Sequence, residues 1–436
     1  MMNKFLLTLT ACFTILISAF GQPAPQQTIY TQDIDNFWVA FDSVRSTKDS
    51  LQQLHYIQSL YIDKGTAGLK AFMKVRDYTA QGWVKAINKY PKFWASVRPN
   101  TLTVKTRSAD IAKSIAQLRT LYPELKDAQL YFTIGALRSG GTTDSNMVLV
   151  GAEIATGDSA TDVSEFPNKW LATVFKGQSQ ANIVPLNIHE YVHTQQHGDN
   201  DFLLAIAIKE GAADFITELA LAEPLQTSYS QYGYEHEKEL KDDFKKEMFT
   251  NAYKKWLYNG GNATTMADLG YFMGYRVCKS YYQHAANKKT AIKEIIELNY
   301  SDSSAVEAFL TKSSYYTEPI NKTALLASFR ANQPVLVKLQ PLNNGDTGVD
   351  ASLKTLTIVF SKPMQPKGYS INYGAGGKEH YPIKGIAGFS ADGTSFTVNT
   401  ELKPGQEYEF VITDRAFASQ DGYPLLTDYT IKFRTR

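Results

Sequence analysis

The chain has almost no cysteine: Cys12 and Cys278 are the only two in 436 residues. Cys12 falls in an apolar leader, so the mature chain keeps one thiol and no internal disulfide. Its stability must come from a hydrophobic core, which a chain of this length can supply. An excess of either charge is missing too, since 45 Lys and Arg face 43 Asp and Glu for a formal +2. The cations are scattered rather than striped, which leaves no basic face for a nucleic acid. Such a balance suits a peptide or protein substrate of no fixed sign. Beyond the first 22 residues no apolar run reaches membrane-spanning length, and there is no internal repeat or low-complexity tract. Cys278 sits in an apolar, helix-like stretch and reads as a small buried hydrophobe.

The first 22 residues read as an export signal. Lys4 gives the positive start, Phe5 to Phe20 the apolar run, and Gly21-Gln22 precedes the polar Pro23-Ala24-Pro25-Gln26-Gln27. Leu9-Thr10-Ala11-Cys12 also fits a lipoprotein cleavage site, but Phe13-Thr14-Ile15-Leu16-Ile17 prolongs the apolar run where a lipidated Cys would precede a polar tether. The expectation is an exported chain that is periplasmic, at the cell surface or secreted, with a lipid anchor at Cys12 as the less favoured alternative.

Residues 23–125 read as mainly helical. Ile34, Phe37, Trp38, Phe41 and Val44 recur at helical spacing, as do Ile111, Ile115, Leu118 and Tyr122. Trp83, Phe93 and Trp94 read as core aromatics. Then the period changes: Leu130–Ile134 and Met147–Val150 read as strands, with Ser139-Gly140-Gly141 as a turn. An irregular segment is expected from Gly157 to Gln180. The next helix starts near Pro185 and stops at Gly198-Asp199-Asn200, and another spans Leu203 to Leu221. Amphipathic helices are expected at 235–258, 267–285 and 288–298. Beyond about 332 short strands with turn residues between them (356–360, 396–398, 408–412, 429–433) predict an all-β sandwich of about 100 residues. The fold class is therefore α+β: a mainly helical unit with a small antiparallel sheet (23–331, its core at 126–331), followed by a sandwich at 332–436.

The chain has seven histidines, and two of them fall in His189-Glu190-Tyr191-Val192-His193. Imidazoles four apart on a helix share one face, one turn above each other. That H-E-x-x-H spacing lets both bind one zinc ion while the intervening Glu reaches a water on the metal. A catalytic site needs a third protein ligand and an open position. His197 is too distant, since eight helical residues span about 12 Å, and the longer H-E-x-x-H-x-x-G-x-x-H pattern fails because position 196 is Gln and 199 is Asp. Glu210, on a helix returning after the Gly198 turn, is the better third ligand. Asp214, one turn further, can accept the distal N–H of a ligand His and fix its tautomer. Tyr275 and His236 are alternative donors to the reacting carbonyl.

This arrangement, H-E-x-x-H followed by Glu210-x-x-x-Asp214 on the next helix, resembles the gluzincins, the clan of thermolysin and the zinc aminopeptidases. Within it the chain looks like exported bacterial proteins with a predicted zinc-dependent protease domain. The resemblance implies a zincin-like fold with one Zn2+ held by His189, His193 and Glu210, Glu190 as general base and Asp214 behind the ligands. It also implies a strand hairpin before the motif helix, here 130–137 and 147–153, whose edge holds extended peptide. Tyr271-Phe272-Met273-Gly274 resembles the Tyr-x-Lys-Gly helix start of the aminopeptidases, which implies that Tyr271 stabilises the oxyanion, although Met273 replaces the Lys. Gly151-Ala152-Glu153 resembles only part of their amine-binding segment, so Glu153 reads equally as a solvated strand residue and exopeptidase action lacks support. Asp346-Thr347-Gly348-Val349-Asp350 and Val359–Met364 resemble bacterial Ig-like modules, which space, dock or bind an envelope or surface partner; His380 there reads as structural. The expected function is zinc-dependent peptide hydrolysis with Glu190 as general base; the alternative is a zincin-like surface or envelope binding protein that keeps the scaffold without turnover.

Overall fold

The computed structural model describes residues 28–167, 169–260, 266–366 and 368–436. The expected signal segment and Cys12 lie outside them. Two separate hydrophobic cores divide the chain, one built from residues between Ile34 and Tyr315, the other between Leu339 and Phe433.

The first core is mainly helical. Gln32–Arg45, Ala67–Arg76, Ala80–Lys89 and the long Pro91–Leu121 bury Phe37, Phe72, Trp83, Phe93 and Trp94. The expectation of core aromatics holds. The indole N–H groups are satisfied internally: Trp83 donates to the Ile134 carbonyl at 3.1 Å and Trp94 to that of Ala86 at 3.0 Å, as buried polar groups require.

The small sheet runs in the order Ile29–Tyr30, Gln129–Thr133, Met147–Gly151, Gly141–Asp144. It is mixed, which corrects the expected antiparallel sheet. Gln129–Thr133 pairs in parallel with both Ile29–Tyr30 and Met147–Gly151, and only Gly141–Asp144 is antiparallel. The hairpin therefore joins 141–144 to 147–151, not 130–137 to 147–153. Its turn contains Ser145 at φ 55. Gly141 opens the edge strand instead of belonging to a turn. The polar Thr142, Thr143 and Asp144 concealed this strand, because an edge facing solvent has no apolar alternation to reveal it.

The motif helix spans Ile183–His193 and packs against the long helix Pro91–Leu121 and the helix Leu203–Leu221. It ends at His193, earlier than the glycine implied; Gly198, at φ 80, lies in the turn beyond. The expected helix from Leu203 to Leu221 is present to the residue. The segment read as irregular contains the helix Trp170–Lys176. Where one helix was expected over 235–258, Ser228–Glu235 and Glu237–Glu247 are broken at His236 and are followed by a short 3-10 turn.

Helices Leu203–Leu221 and Leu269–His284 touch backbone to backbone. A Cβ on Gly211 would lie 1.9 Å from the Tyr275 nitrogen, and one on Gly274 would lie 1.7 Å from the Ala207 carbonyl oxygen. Neither position admits a side chain without parting the helices. The contact fixes Glu210, beside Gly211, relative to Tyr271, one turn before Tyr275.

The second core is a sandwich. Leu336–Gln340, Thr355–Phe360, Ser395–Thr400 and Ile383–Phe389 form one antiparallel sheet; Tyr429–Arg434, Glu407–Ile412 and Ile371–Tyr373 form the other. Alternate residues such as Leu356, Ile358 and Phe360 point inward, the period-two signature visible in the sequence. The helix Lys322–Asn332 leads directly into the first strand.

Candidate metal centre

The motif helix places His189 and His193 one turn apart, and the returning helix brings Glu210 to them. The Nε2 atoms of the two histidines lie 3.0 Å apart. Glu210 Oε2 lies 3.1 Å from His193 Nε2 and 3.4 Å from His189 Nε2. Among the described residues this is the only cluster of three His, Cys, Asp or Glu side chains able to hold a metal ion.

The neighbours of the triad fix its chemistry. His189 Nδ1 is 2.8 Å from Asp214 Oδ1, and the other oxygen of Asp214 accepts the Tyr229 hydroxyl at 2.7 Å. The carboxylate favours a proton on Nδ1, so in the neutral imidazole of His189 the lone pair is on Nε2. His193 Nδ1 is 2.6 Å from Gln196 Oε1. The Gln196 amide is oriented by its own N–H donation to the Lys209 carbonyl at 2.9 Å, so its oxygen faces the imidazole and His193 also presents a lone pair from Nε2. Three donor atoms thus converge on one point. Tetrahedral zinc with ligand bonds near 2.0–2.2 Å separates its ligands by about 3.3 Å, and the observed spacings bracket that value. The residues fit a zinc ion.

Electrostatics agree. Burial opposes charge on His189, but the hydrogen bonds and charges of Asp214 and Glu210 outweigh it and hold its pKa well above the ordinary histidine value. Burial likewise opposes charge on Glu210, yet His193 and His189 hold its carboxyl well below the usual range. A metal held by these three residues would compete with a proton there, so its affinity would fall with falling pH.

Glu190 is half-buried and, among the described residues, its carboxylate has no side-chain partner. The ring of Tyr271 lies over His189 with centroids 6.1 Å apart, and its hydroxyl is likewise without a hydrogen-bond partner among the described residues. The alternatives are engaged elsewhere. The Tyr275 hydroxyl bonds Glu218, Tyr234 and Lys279, and His236 stands against Tyr232 and Glu239. His197 is exposed, its carbonyl accepting from Tyr300 N–H at 3.0 Å. Cys278 is buried and free, with its thiol pKa pushed up by burial. In the sandwich, His380 bonds the Glu407 carbonyl.

A cleft of about 430 Å³ opens beside the triad. Thr143 of the edge strand, His193, Glu210, Lys209, Tyr253 and Tyr258 are among its lining residues. Tyr229 and Tyr258 are contacts that sequence reading did not single out. Nothing distinguishes them in sequence among 26 tyrosines.

Glu153 corrects its expectation. It belongs to the short helix Ala152–Ala155, is 0% exposed, and accepts the Gly135 N–H at 2.8 Å and the Leu137 N–H at 3.2 Å. It is neither solvated nor open to a substrate amine. Burial pushes its carboxyl up to about 7 from 4.5, against the pull of those N–H groups. A folded-state pKa above the unfolded one gives stability that is complete below pH 4.5 and is lost as pH rises to about 7. The loss is about 3 kcal/mol. Urea unfolding of wild type and Glu153→Gln between pH 4.5 and 8 should show wild type losing that amount relative to the variant. Parallel pH profiles would contradict this placement of the charge.

Residues 330–435 match the family described as bacterial Ig-like domain. No curated protein sequence matches the chain. Among solved structures, CopC from Methylosinus trichosporium OB3b is 20% identical over 24% of this chain and 93% of its own, with a TM-score of 0.18. The S-layer protein rSbsC(31-844) is 13% identical over 76% of this chain, again at 0.18. The chain spans 46% of that S-layer chain. At such TM-scores these likenesses carry no argument about the helical unit.

Proposed function

We propose that the chain is an exported zinc-dependent peptidase that cleaves within peptide chains, with its C-terminal Ig-like domain as an accessory docking module. One observation carries the reading: with their Nδ1 atoms held by Asp214 and Gln196, two histidines turn their Nε2 atoms, together with Glu210 Oε2, toward one point. Zinc bound there would acidify a water molecule to near neutral pH and polarise a carbonyl.

The chain's own residues supply the rest. Glu190, unpartnered on the same helix, takes the proton of the attacking water and returns it to the leaving amine. Tyr271, whose ring lies over His189 and whose hydroxyl has no hydrogen-bond partner among the described residues, donates to the carbonyl oxygen as negative charge develops on it. Among the described residues the outer edge of Gly141–Asp144 has no strand beside it. An extended peptide adds there as a further strand, with Thr143 directing it into the cleft. The absence of an accessible carboxylate at Glu153 favours cleavage inside a chain over removal of its first residue. An extracytoplasmic location is supported by the match of 330–435 to bacterial Ig-like domains and by the apolar leader.

Stripping the purified protein with a chelator tests this reading. A broad peptide library should be cleaved before stripping, left intact after it, and cleaved again on adding one equivalent of zinc. Cleavage that survives stripping would contradict the metal's role. A zinc-loaded chain that cleaves nothing would instead be a zincin-like binding protein without turnover.

A further inference from the structure

We propose that Tyr258 is a positioning residue that keeps Glu210 a one-oxygen ligand, so that the metal retains an open place for water or substrate; this rests on the metal reading above. The two oxygens of Glu210 have different tasks in the structure. Oε2 faces both imidazoles, whereas Oε1 accepts the Tyr258 hydroxyl at 2.6 Å. A carboxylate with both oxygens free can turn to grip a cation with the pair. Engaging Oε1 in a short hydrogen bond removes that option.

Tyr258 is an improbable residue to find there by packing alone. Its side chain is large and apolar in part, yet the residue is 61% exposed. Its backbone is left-handed, at φ 58, a conformation unfavourable for a residue with a Cβ. Such a conformation persists only where the surroundings impose it. Here they do so from both sides. Trp256 and Leu257 are buried immediately before it, and the Trp256 carbonyl accepts the Gly270 N–H at 2.7 Å. Immediately after it, the Asn259 side chain accepts the Asp268 N–H at 2.8 Å, while Asp268 receives the Asn259 N–H at 3.4 Å. Asn259 and Asp268 are thus tied together beside Tyr258, whose side chain lines the cleft. Among the described residues its hydroxyl has no polar partner except Glu210. Its ring meets those of Tyr253 and Tyr271 edge-on, at 6.5 and 6.3 Å, which sets the direction of the hydroxyl.

The test uses the full chain loaded with cobalt(II), whose visible absorption weakens as coordination number rises. Tyr258→Phe keeps the ring and loses the hydroxyl. It should lower the intensity of the visible bands as Glu210 turns to hold the cation with both oxygens. The melting temperature of the metal-free protein should stay unchanged. Tyr253→Phe, which removes a neighbouring hydroxyl of the same cleft, should leave the cobalt spectrum as in wild type. A Tyr258→Phe spectrum matching wild type in position and intensity would overturn the proposal while leaving the metal site standing. A wild-type chain that takes up no cobalt or zinc would overturn the metal reading itself.

Discussion

Glu190→Gln should lower peptide hydrolysis by about 10²–10⁴-fold while zinc binding stays at the wild-type level. That range is the usual contribution of a positioned general acid or base. The substitution preserves shape and removes only the ability to accept a proton at the reaction's pH. Glu190 is no ligand in this geometry: the three converging atoms belong to His189, His193 and Glu210. Among the described residues its side chain makes no hydrogen bond whose loss could unfold the helix. Zinc content and melting temperature should therefore be insensitive to the change, and activity alone should fall. Kinetics on any peptide found to be cleaved will decide this, with zinc stoichiometry measured on the same samples. Equal activity in wild type and variant would remove Glu190 from the chemistry.

Glu210→Ala should weaken zinc binding by more than about 100-fold, the upper end of the loss seen when a residue merely behind the ligands is removed. Two imidazoles would remain without the carboxylate whose Oε2 faces both of them. The deletion also leaves the Tyr258 hydroxyl without its acceptor and removes the carboxylate that balances charge on the histidine pair. Competition with a chelator of known affinity gives the magnitude. Glu210→Gln should fall between the two, because it keeps the shape and an oxygen but not the charge.

How much of this was legible in the sequence depends on how local the determining forces are. The imidazole pair is set by one helical turn, so H-E-x-x-H was enough to place it. Glu210 and Asp214 could be read because a single glycine turn and one uninterrupted apolar helix separate them from the motif. Leu203–Leu221 was found to the residue for the same reason: its start and end are local signals. In the second unit, alternation in 355–360 and 407–412 announced strands, and the match to bacterial Ig-like domains followed.

What escaped was long-range. Whether two strands pair in parallel depends on the chain between them, and the polar run Gly141–Asp144 gave no apolar period to mark it as the intervening edge. Glu153 sits in a strand-like context, yet its carboxylate is buried because the Gly135 and Leu137 N–H groups, far from it in sequence, need an acceptor. Tyr258 and Tyr229 reach the acids of the site from separate loops and helices. Gly211 and Gly274 looked like ordinary helix glycines; only the packed pair of helices shows that each is the sole residue that fits.

The central claim is that His189, His193 and Glu210 hold one divalent cation, and metal content measures it most directly. Full-length protein equilibrated with zinc and freed of loosely bound metal by gel filtration should retain one zinc per chain, and the Glu210→Ala protein treated identically should retain almost none. Wild type that emerges empty, or a variant that keeps its full equivalent, would contradict the account.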